Sequence, residues 1–281
     1  MLGPNTIDDW SPLITYSPAG YWAQGNSAKD PELTKYWGNS YTYTWNPGAS
    51  ASFTFNGTGI TILGTRRSTH GSYTVILDGK PKVLDATASD PIEYQANLFN
   101  VTGLQQKEHT VTVTNADASV YLDCLHVCQQ IHWWGEADSG ELQELSHEMD
   151  DDTDSKFFWY PADAWKNPPS NISQFSNGTG QFVAFPLCML SDLSSCSDAV
   201  SVFGTSGPQN GNYTARLDDI FSGAFSAKRD TYETGVMLFQ ADNLGGGAHT
   251  LSLVNGDEGE LLEIDYALSY IDPSRTPPES S

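Results

Sequence analysis

The chain reads as an all-β protein of two tandem β-sandwiches of the jelly-roll kind. The first observation is a repeat. Residues 60–79 read ITILGTRRSTHGSYTVILDG and residues 200–219 read VSVFGTSGPQNGNYTARLDD, at an offset of 140. Gly64/Gly204, Thr65/Thr205, Gly71/Gly211, Tyr73/Tyr213, Thr74/Thr214, Leu77/Leu217 and Asp78/Asp218 are identical between the copies. The offset continues through Leu98-Phe99/Leu238-Phe239, Leu104/Leu244, His109-Thr110/His249-Thr250 and Asn115/Asn255. A period this long belongs to duplicated domains, not to a solenoid. The second observation is apolar–polar alternation over short segments bounded by Gly, Pro, Asn and Asp, with almost no convincing helix. The third is composition: 12% aromatic and only 17% charged residues, a profile that suits an extracellular β protein.

The length of 281 residues gives room for two ordinary domains. A copy of roughly 130 residues buries an adequate core without metal. The expected boundaries are a first sandwich over 1–128, a linker over 129–147, a second sandwich over 148–272, and a Pro/Ser-rich tail over 273–281 that is expected to be disordered.

Each element has its own signal. The start, NTIDDWSPLITYSPAGYWAQG, is echoed by EMDDDTDSKFFWYPADAWKNP at an offset of 143, which aligns Asp8-Asp9 with Asp151-Asp152 and Trp22 with Trp165. Residues 26–50 hold an irregular polar loop and then YTYTW, which alternates like a strand. SASFTFNGTGITILGT gives two strands, with Asn56-Gly57 as a hairpin signal between them. GSYTVILDGK is a strand ending in Asp-Gly, and KEHTVTVTN opens another pair that HTLSLVNGDEGELLEIDYALSY repeats. GELQELSHEM, in the linker, suits a short helix or an extended strand equally. Each copy therefore has about eight short strands, as a sandwich or jelly roll requires.

The formal net charge is −22, which repels nucleic acid and anionic lipid headgroups. No apolar run approaches a membrane span. The four cysteines are Cys124, Cys128, Cys188 and Cys196, and neither spacing supports a four-thiolate zinc site. Cys188 and Cys196 flank a polar loop that a hairpin disulfide can close. Cys124 and Cys128 would stand ~13 Å apart in a continuous strand, so they pair only if the chain turns between them. Five Asn-x-Ser/Thr sequons, at Asn56, Asn100, Asn171, Asn177 and Asn212, lean towards the secretory pathway. Met1 precedes a segment that reads as a mature start, so a removed leader is expected.

The pattern TIDD…ITYSP, then SFTF.GT.I…GT.R..HG.YTV.LDG, then LF…GL…HT.TVTN, resembles a group of secreted or surface proteins of mushroom-forming fungi. The resemblance covers nearly all of both copies. It implies galactose-binding-like β-sandwich domains and an extracellular or cell-surface setting, and it implies no single activity. Here the loop after Trp22 lacks the cysteine pair that the pattern often carries.

Candidate site residues follow from chemistry. Sugar rings stack on Trp and Tyr while nearby polar groups take the hydroxyls. Trp22 and Trp165 align between copies and read as core. Trp37, which lacks a clear counterpart, and Trp133 and Trp134 in the linker read as ligand residues, although the linker pair serves equally as a plug between domains. Arg66, Arg67 and His70 form the apex of the first repeat, where two guanidinium groups can hold an acidic glycan; pairing with the protein's own acidic surface is the plainer reading. Asp8, Asp9, Asp151 and Asp152 can bind a structural calcium if further oxygens converge, or act as turn residues. Glu263, Asp265, Glu136 and Glu141 are nameable as a glycosidase pair, but 35 acidic residues make some such pair inevitable. No G-x-S-x-G, phosphate loop, H-E-x-x-H or zinc signature occurs. The expected function is glycan recognition without catalysis and without a cofactor beyond that calcium. The alternatives are a glycoside hydrolase with its cleft between the domains, and a structural or adhesive surface protein.

Overall fold

A computed structural model describes residues 6–25, 30–116, 130–134, 146–166, 173–187, 199–242, 244 and 248–271. For 130–134, 146–148 and 271 only the backbone is described. The four cysteines, Glu136, Glu141 and Asn171 lie outside the described residues. The chain divides into two compact units, Met1–Glu141 and Leu142–Ser281.

In unit one, β1 (Thr6–Ile7), β6 (Gly59–Arg66), β9 (Glu93–Val101) and β11 (Gln130–Trp134) form a sheet in the order β1-β11-β6-β9. The other sheet holds β2 (Thr15–Ser17), β5 (Ser50–Gly57), β7 (Ser72–Leu77), β8 (Lys80–Asp85) and β10 (Lys107–Asn115), in the order β2-β5-β10-β7-β8. A ribbon of β3 (Ala23–Gln24) and β4 (Thr42–Tyr43) stands beside them.

Unit two repeats the plan. Its first sheet runs β12-β21-β16-β19, from β12 (Ser146–Asp151), β21 (Leu262–Ile271), β16 (Ala199–Ser206) and β19 (Glu233–Ala241), with β14 (Gln174–Ser176) also on β21. Its second sheet runs β13-β15-β20-β17-β18, from β13 (Phe158–Tyr160), β15 (Phe182–Pro186), β20 (Thr250–Asn255), β17 (Asn212–Leu217) and β18 (Ile220–Ser226). Every strand pairing is antiparallel, and the helical turns among the described residues are single 3-10 turns.

Alternation explains the layering. In β5, Phe53 and Phe55 point inward; in β10, Val111 and Val113; in β6, Ile60 and Ile62. Each such side chain contributes roughly 1.5–3 kcal/mol when buried. The repeated Tyr-Thr pair has a specific duty. The Tyr73 hydroxyl, on β7, donates to the Leu98 carbonyl on β9 at 2.5 Å, across the two sheets. Tyr213 does the same to Leu238 at 2.6 Å. Both tyrosines are buried, and burial pushes the hydroxyl pKa of Tyr73 up to about 12. A phenol that must donate inside the core is thereby kept protonated.

Two sequence expectations change. Asn56-Gly57 does not close a hairpin, because β5 pairs with β10 and β2 while β6 belongs to the other sheet. The turn carries the chain from one sheet to the other. In addition, part of the stretch read as a linker is sheet. Gln130–Trp134 pairs with β6 on one side and β1 on the other. From Ser146 onward the chain is β12, paired along β21, so the end of GELQELSHEM is extended. The true hairpin of the repeat is β7–β8, turned by Asp78 and Gly79 at φ +48° and +75°. Its twin uses Asp218 and Asp219 at +51° and +61°, residues that tolerate the left-handed region.

Candidate ligand-binding site

The segment that most distinguishes unit one from unit two is the loop between β3 and β4 and the strand after it. It is pinned from below by the acidic pair. Both oxygens of Asp9 are used: Ser40 Oγ donates to Oδ1 and Thr42 Oγ1 to Oδ2, each at 2.6 Å. The Asp9 backbone N–H donates to Asp8 Oδ1 at 2.8 Å. Gly38 crosses directly over this pair with φ +58°. A Cβ there would lie 2.2 Å from Asp8 Oδ2, so only glycine fits in both conformation and space. Burial and the neighbouring Asp9 carboxylate push the Asp8 carboxyl well above the usual range.

Above the clamp runs a line of rings. Tyr94 from β9 meets Tyr36 edge-on at 5.1 Å, and Tyr36 meets Tyr41 at 4.4 Å. Tyr41 contacts Tyr43 at 5.8 Å, and Tyr43 contacts Trp45 at 5.3 Å. The line begins buried at Tyr36 and ends on Trp45, which is 52% exposed. Tyr21 is also exposed, and its carbonyl accepts hydrogen bonds from Thr44 and Asn46 on either side of Trp45. The ring of Tyr41 lies where a Cβ on Gly25 would stand, so Gly25 lets the loop close onto the ribbon.

Cations border this line. Arg67 Nη2 donates to the Tyr36 hydroxyl at 2.7 Å. The Lys35 ammonium sits 5.2 Å from the centre of the Tyr94 ring and pairs with Glu32. Arg66 turns away, bonding Glu93 at 3.1 Å and the Thr87 carbonyl. Arg66 is thus matched by the protein's own acid.

The remaining predicted site residues divide plainly. Trp37 lies half-buried on the same loop. His70 is 1% exposed, with Nδ1 2.8 Å from the Thr65 carbonyl. Burial and the nearby Arg67 charge lower its pKa to about 3, so it is a neutral core histidine out of reach of a ligand. Trp133 and Trp134 are placed on β11 by backbone alone.

Glu263 is 3% exposed and held by Thr205, Asn210 and Tyr232. Asp151 is exposed, and the Thr153 hydroxyl and N–H hold its pKa low. Burial, Asp151 and Asp265 raise Asp152 to about 7, and burial with Asp151 raises Asp265.

Both carboxylate oxygens of Asp9 accept from hydroxyls of the loop, Ser40 and Thr42. Among the described residues no group of three or more His, Cys, Asp or Glu side chains is arranged for a metal. No helix among the described residues is long and apolar enough to cross a membrane.

Trp45, Tyr43, Tyr41, Tyr36, Tyr94 and Tyr21 were not singled out from sequence as ligand residues. The signal present was the density of aromatics between residues 36 and 45; the pairing of that loop with Tyr94 and Arg67 is a matter of tertiary structure.

No protein-family model and no curated protein matches this chain. Solved structures match at low similarity. A Paenibacillus xanthan lyase matches at 12% identity and TM-score 0.33 over 97% of this chain, which spans 27% of the lyase. The CBM36-1 domain of a xylanase from a Trinervitermes trinervoides hindgut metagenome matches at 14% identity and TM-score 0.33, over 47% of this chain and all of that one. The CBM22-1-CBM22-2 tandem of Paenibacillus barcinonensis Xyn10C matches at 11% identity and TM-score 0.30, over 92% of both chains. At these values nothing about ligand or activity is carried across.

Proposed function

We propose that this protein is a secreted carbohydrate-binding protein whose ligand surface is the aromatic line of unit one. The observation that carries the reading is the run of five rings, anchored in the core at Tyr36 and ending on the half-exposed Trp45. Exposed aromatic faces held rigidly, with hydroxyls and a guanidinium beside them, suit the C–H faces and hydroxyl rims of sugars. The nearby cations already have protein partners: Arg66 has Glu93 and Lys35 has Glu32. The ligand expected here is therefore a neutral glycan of the cell wall or extracellular matrix, not a sulfated or carboxylated one.

Secretion is supported by sequons that stand in the open, with Asn100, Asn177 and Asn212 all exposed. Isothermal titration with neutral plant and fungal oligosaccharides tests the binding. Trp45→Ala is expected to weaken it about tenfold or more, roughly 1.4 kcal/mol. A reducing-end assay on the same glycans should show no product, and release of product would replace this reading with a hydrolase. No binding and no product would leave a structural or adhesive role.

A further inference from the structure

The duplication places one exposed turn at the same point of both units. In unit one Trp45 leads into a turn in which the Ala49 N–H donates to the Asn46 carbonyl at 3.2 Å and the Gly48 N–H to the Asn115 carbonyl at 2.8 Å. In unit two the Gln181 N–H donates to the Gly178 carbonyl at 3.2 Å and the Gly180 N–H to the Asn255 carbonyl at 2.8 Å. Gly48 and Gly180 sit at φ +78° and +79°. Ser50 and Phe182 then pair with Thr114 and Val254, as β5 and β15 begin. This register sets Asn177 at the place of Trp45, and both residues are exposed.

Asn177-Gly178-Thr179 is an Asn-x-Thr acceptor sequence. The turn is held through backbone groups. The Asn177 carbonyl accepts from the Gly259 N–H at 2.9 Å, the Thr179 N–H donates to Glu258 Oε2 at 3.2 Å, and the Gly178 N–H donates to Gln181 Oε1 at 3.1 Å. The Asn177 carboxamide and the Thr179 hydroxyl take no part in these bonds, and both residues are exposed. The other described sequons are placed differently. Asn56 is half-buried, and Gln106 donates to its Oδ1 at 3.1 Å. In Asn100 the nitrogen that a sugar would take donates to Thr61 Oγ1 at 2.6 Å. Asn212 lines a cleft with Lys228, Asp257, Glu258 and Glu260.

We infer that Asn177 carries an N-linked glycan, so that the turn which holds Trp45 in unit one is capped by covalent sugar in unit two. The inference rests on the secretory setting proposed above, where the donor is an oligosaccharide on a polyprenyl diphosphate. Asn177 Nδ2 forms a bond to C1 of the first sugar and the C1–O bond to the diphosphate breaks. The lipid diphosphate leaves with that electron pair, and the amide gives up one proton. A glycan is bulky and hydrophilic and belongs on a surface turn, so the fold accepts it here without rearrangement. Sugar attached at this point leaves ligand binding at this turn to unit one alone.

The test is peptide mapping by mass spectrometry of the full chain, expressed in a eukaryotic secretory host behind the host's own leader. The peptide containing Asn177 is expected to carry an oligosaccharide. A peptide N-glycosidase in heavy-oxygen water is expected to release it from the undenatured chain and leave a labelled aspartate. Asn177→Gln is expected to lose that one glycan and to keep its thermal midpoint within a few degrees, because the side chain bonds nothing that holds the turn. Thr179→Ala is expected to lose the same glycan with the asparagine still in place. An Asn177 peptide recovered without sugar, from secreted and cell-retained protein alike, overturns the inference, as does a glycan that survives Thr179→Ala. Wild-type mapping carries the outcome even where a variant misfolds. The host's leader makes this result independent of ligand binding at Trp45, which titration of unglycosylated bacterial protein tests separately.

Discussion

At the scale of the residue, the Asp-Asp pair that opens each unit has two different uses. In unit one Asp9 is a hub for two hydroxyls of the inserted loop. Asp9→Ala removes the Thr42 hydroxyl's acceptor and leaves Ser40 only its longer 3.4 Å contact to Asp8 Oδ2. It is expected to cost about 2–4 kcal/mol and to weaken glycan binding through the loop, whereas Asp9→Asn retains much of both; thermal unfolding and titration read the two effects.

In unit two the counterpart, Asp152, has its pKa raised to about 7 by burial and by Asp151. Between pH ~4 and ~7 the folded state keeps a proton that the unfolded state releases, so stability falls as pH rises through that window and is flat above it. The carboxyls held low, Asp78, Asp85, Asp151 and Asp218, act below pH ~4, where stability is lost as pH falls. Asp152→Asn is expected to remove the Asp152 part of the fall from pH 4 to 8 and to stabilise unit two at pH 8 by about 1–2 kcal/mol after solvent screening. Chemical denaturation at the two pH values checks this, and an unchanged slope would contradict it. None of this was readable from Asp8-Asp9 and Asp151-Asp152 as letters, because the neighbours of each pair come from elsewhere in the chain: Ser40 and Thr42 in unit one, Asp265 in unit two.

At the scale of the element, the strands were legible and some of their partners were not. β7, β10, β17 and β20 stand where alternation put them, and Asp78-Gly79 turns the hairpin that its two left-handed residues allow. Asn56-Gly57 carries the same local signal and yet bridges two sheets, since β5 finds a partner of eight residues in β10. Turn chemistry fixes a reversal of direction, and long-range pairing decides which sheet the next strand joins.

The repeated glycines mark such pairings. A Cβ on Gly204 would lie 2.0 Å from the Glu263 carbonyl oxygen on β21 and 2.7 Å from Leu238 Cδ1 on β19. Gly204→Ala must push two neighbouring strands apart, and it is expected to destabilise unit two by about 3 kcal/mol or more while leaving the unfolding of unit one unchanged. Tyr213→Phe leaves the Leu238 carbonyl without its donor and is expected to cost about 1–2 kcal/mol. Calorimetry of both variants separates the two effects by size.

At the scale of the whole molecule, duplication explains the scaffold and divergence explains the candidate site. The residues identical between copies are turn formers, core apolars and the tyrosines that tie sheet to sheet. The aromatic line belongs to unit one, on a loop clamped by an acidic pair whose sequence counterpart opens unit two. The difference between copies was visible in the sequence as a location, and Arg66, Arg67 and His70 were chosen there on charge. The structure buries His70, pairs the half-exposed Arg66 with Glu93 and joins Arg67 to Tyr36, so the divergent region brings a line of aromatic rings beside the cations that its sequence advertised. The measurement that tests this most directly is titration of neutral oligosaccharides into wild-type and Trp45→Ala protein, followed by tryptophan fluorescence. Saturable binding is expected that perturbs the fluorescence and is weakened about tenfold or more by the substitution. Equal affinity of the two proteins for the same glycan would contradict it.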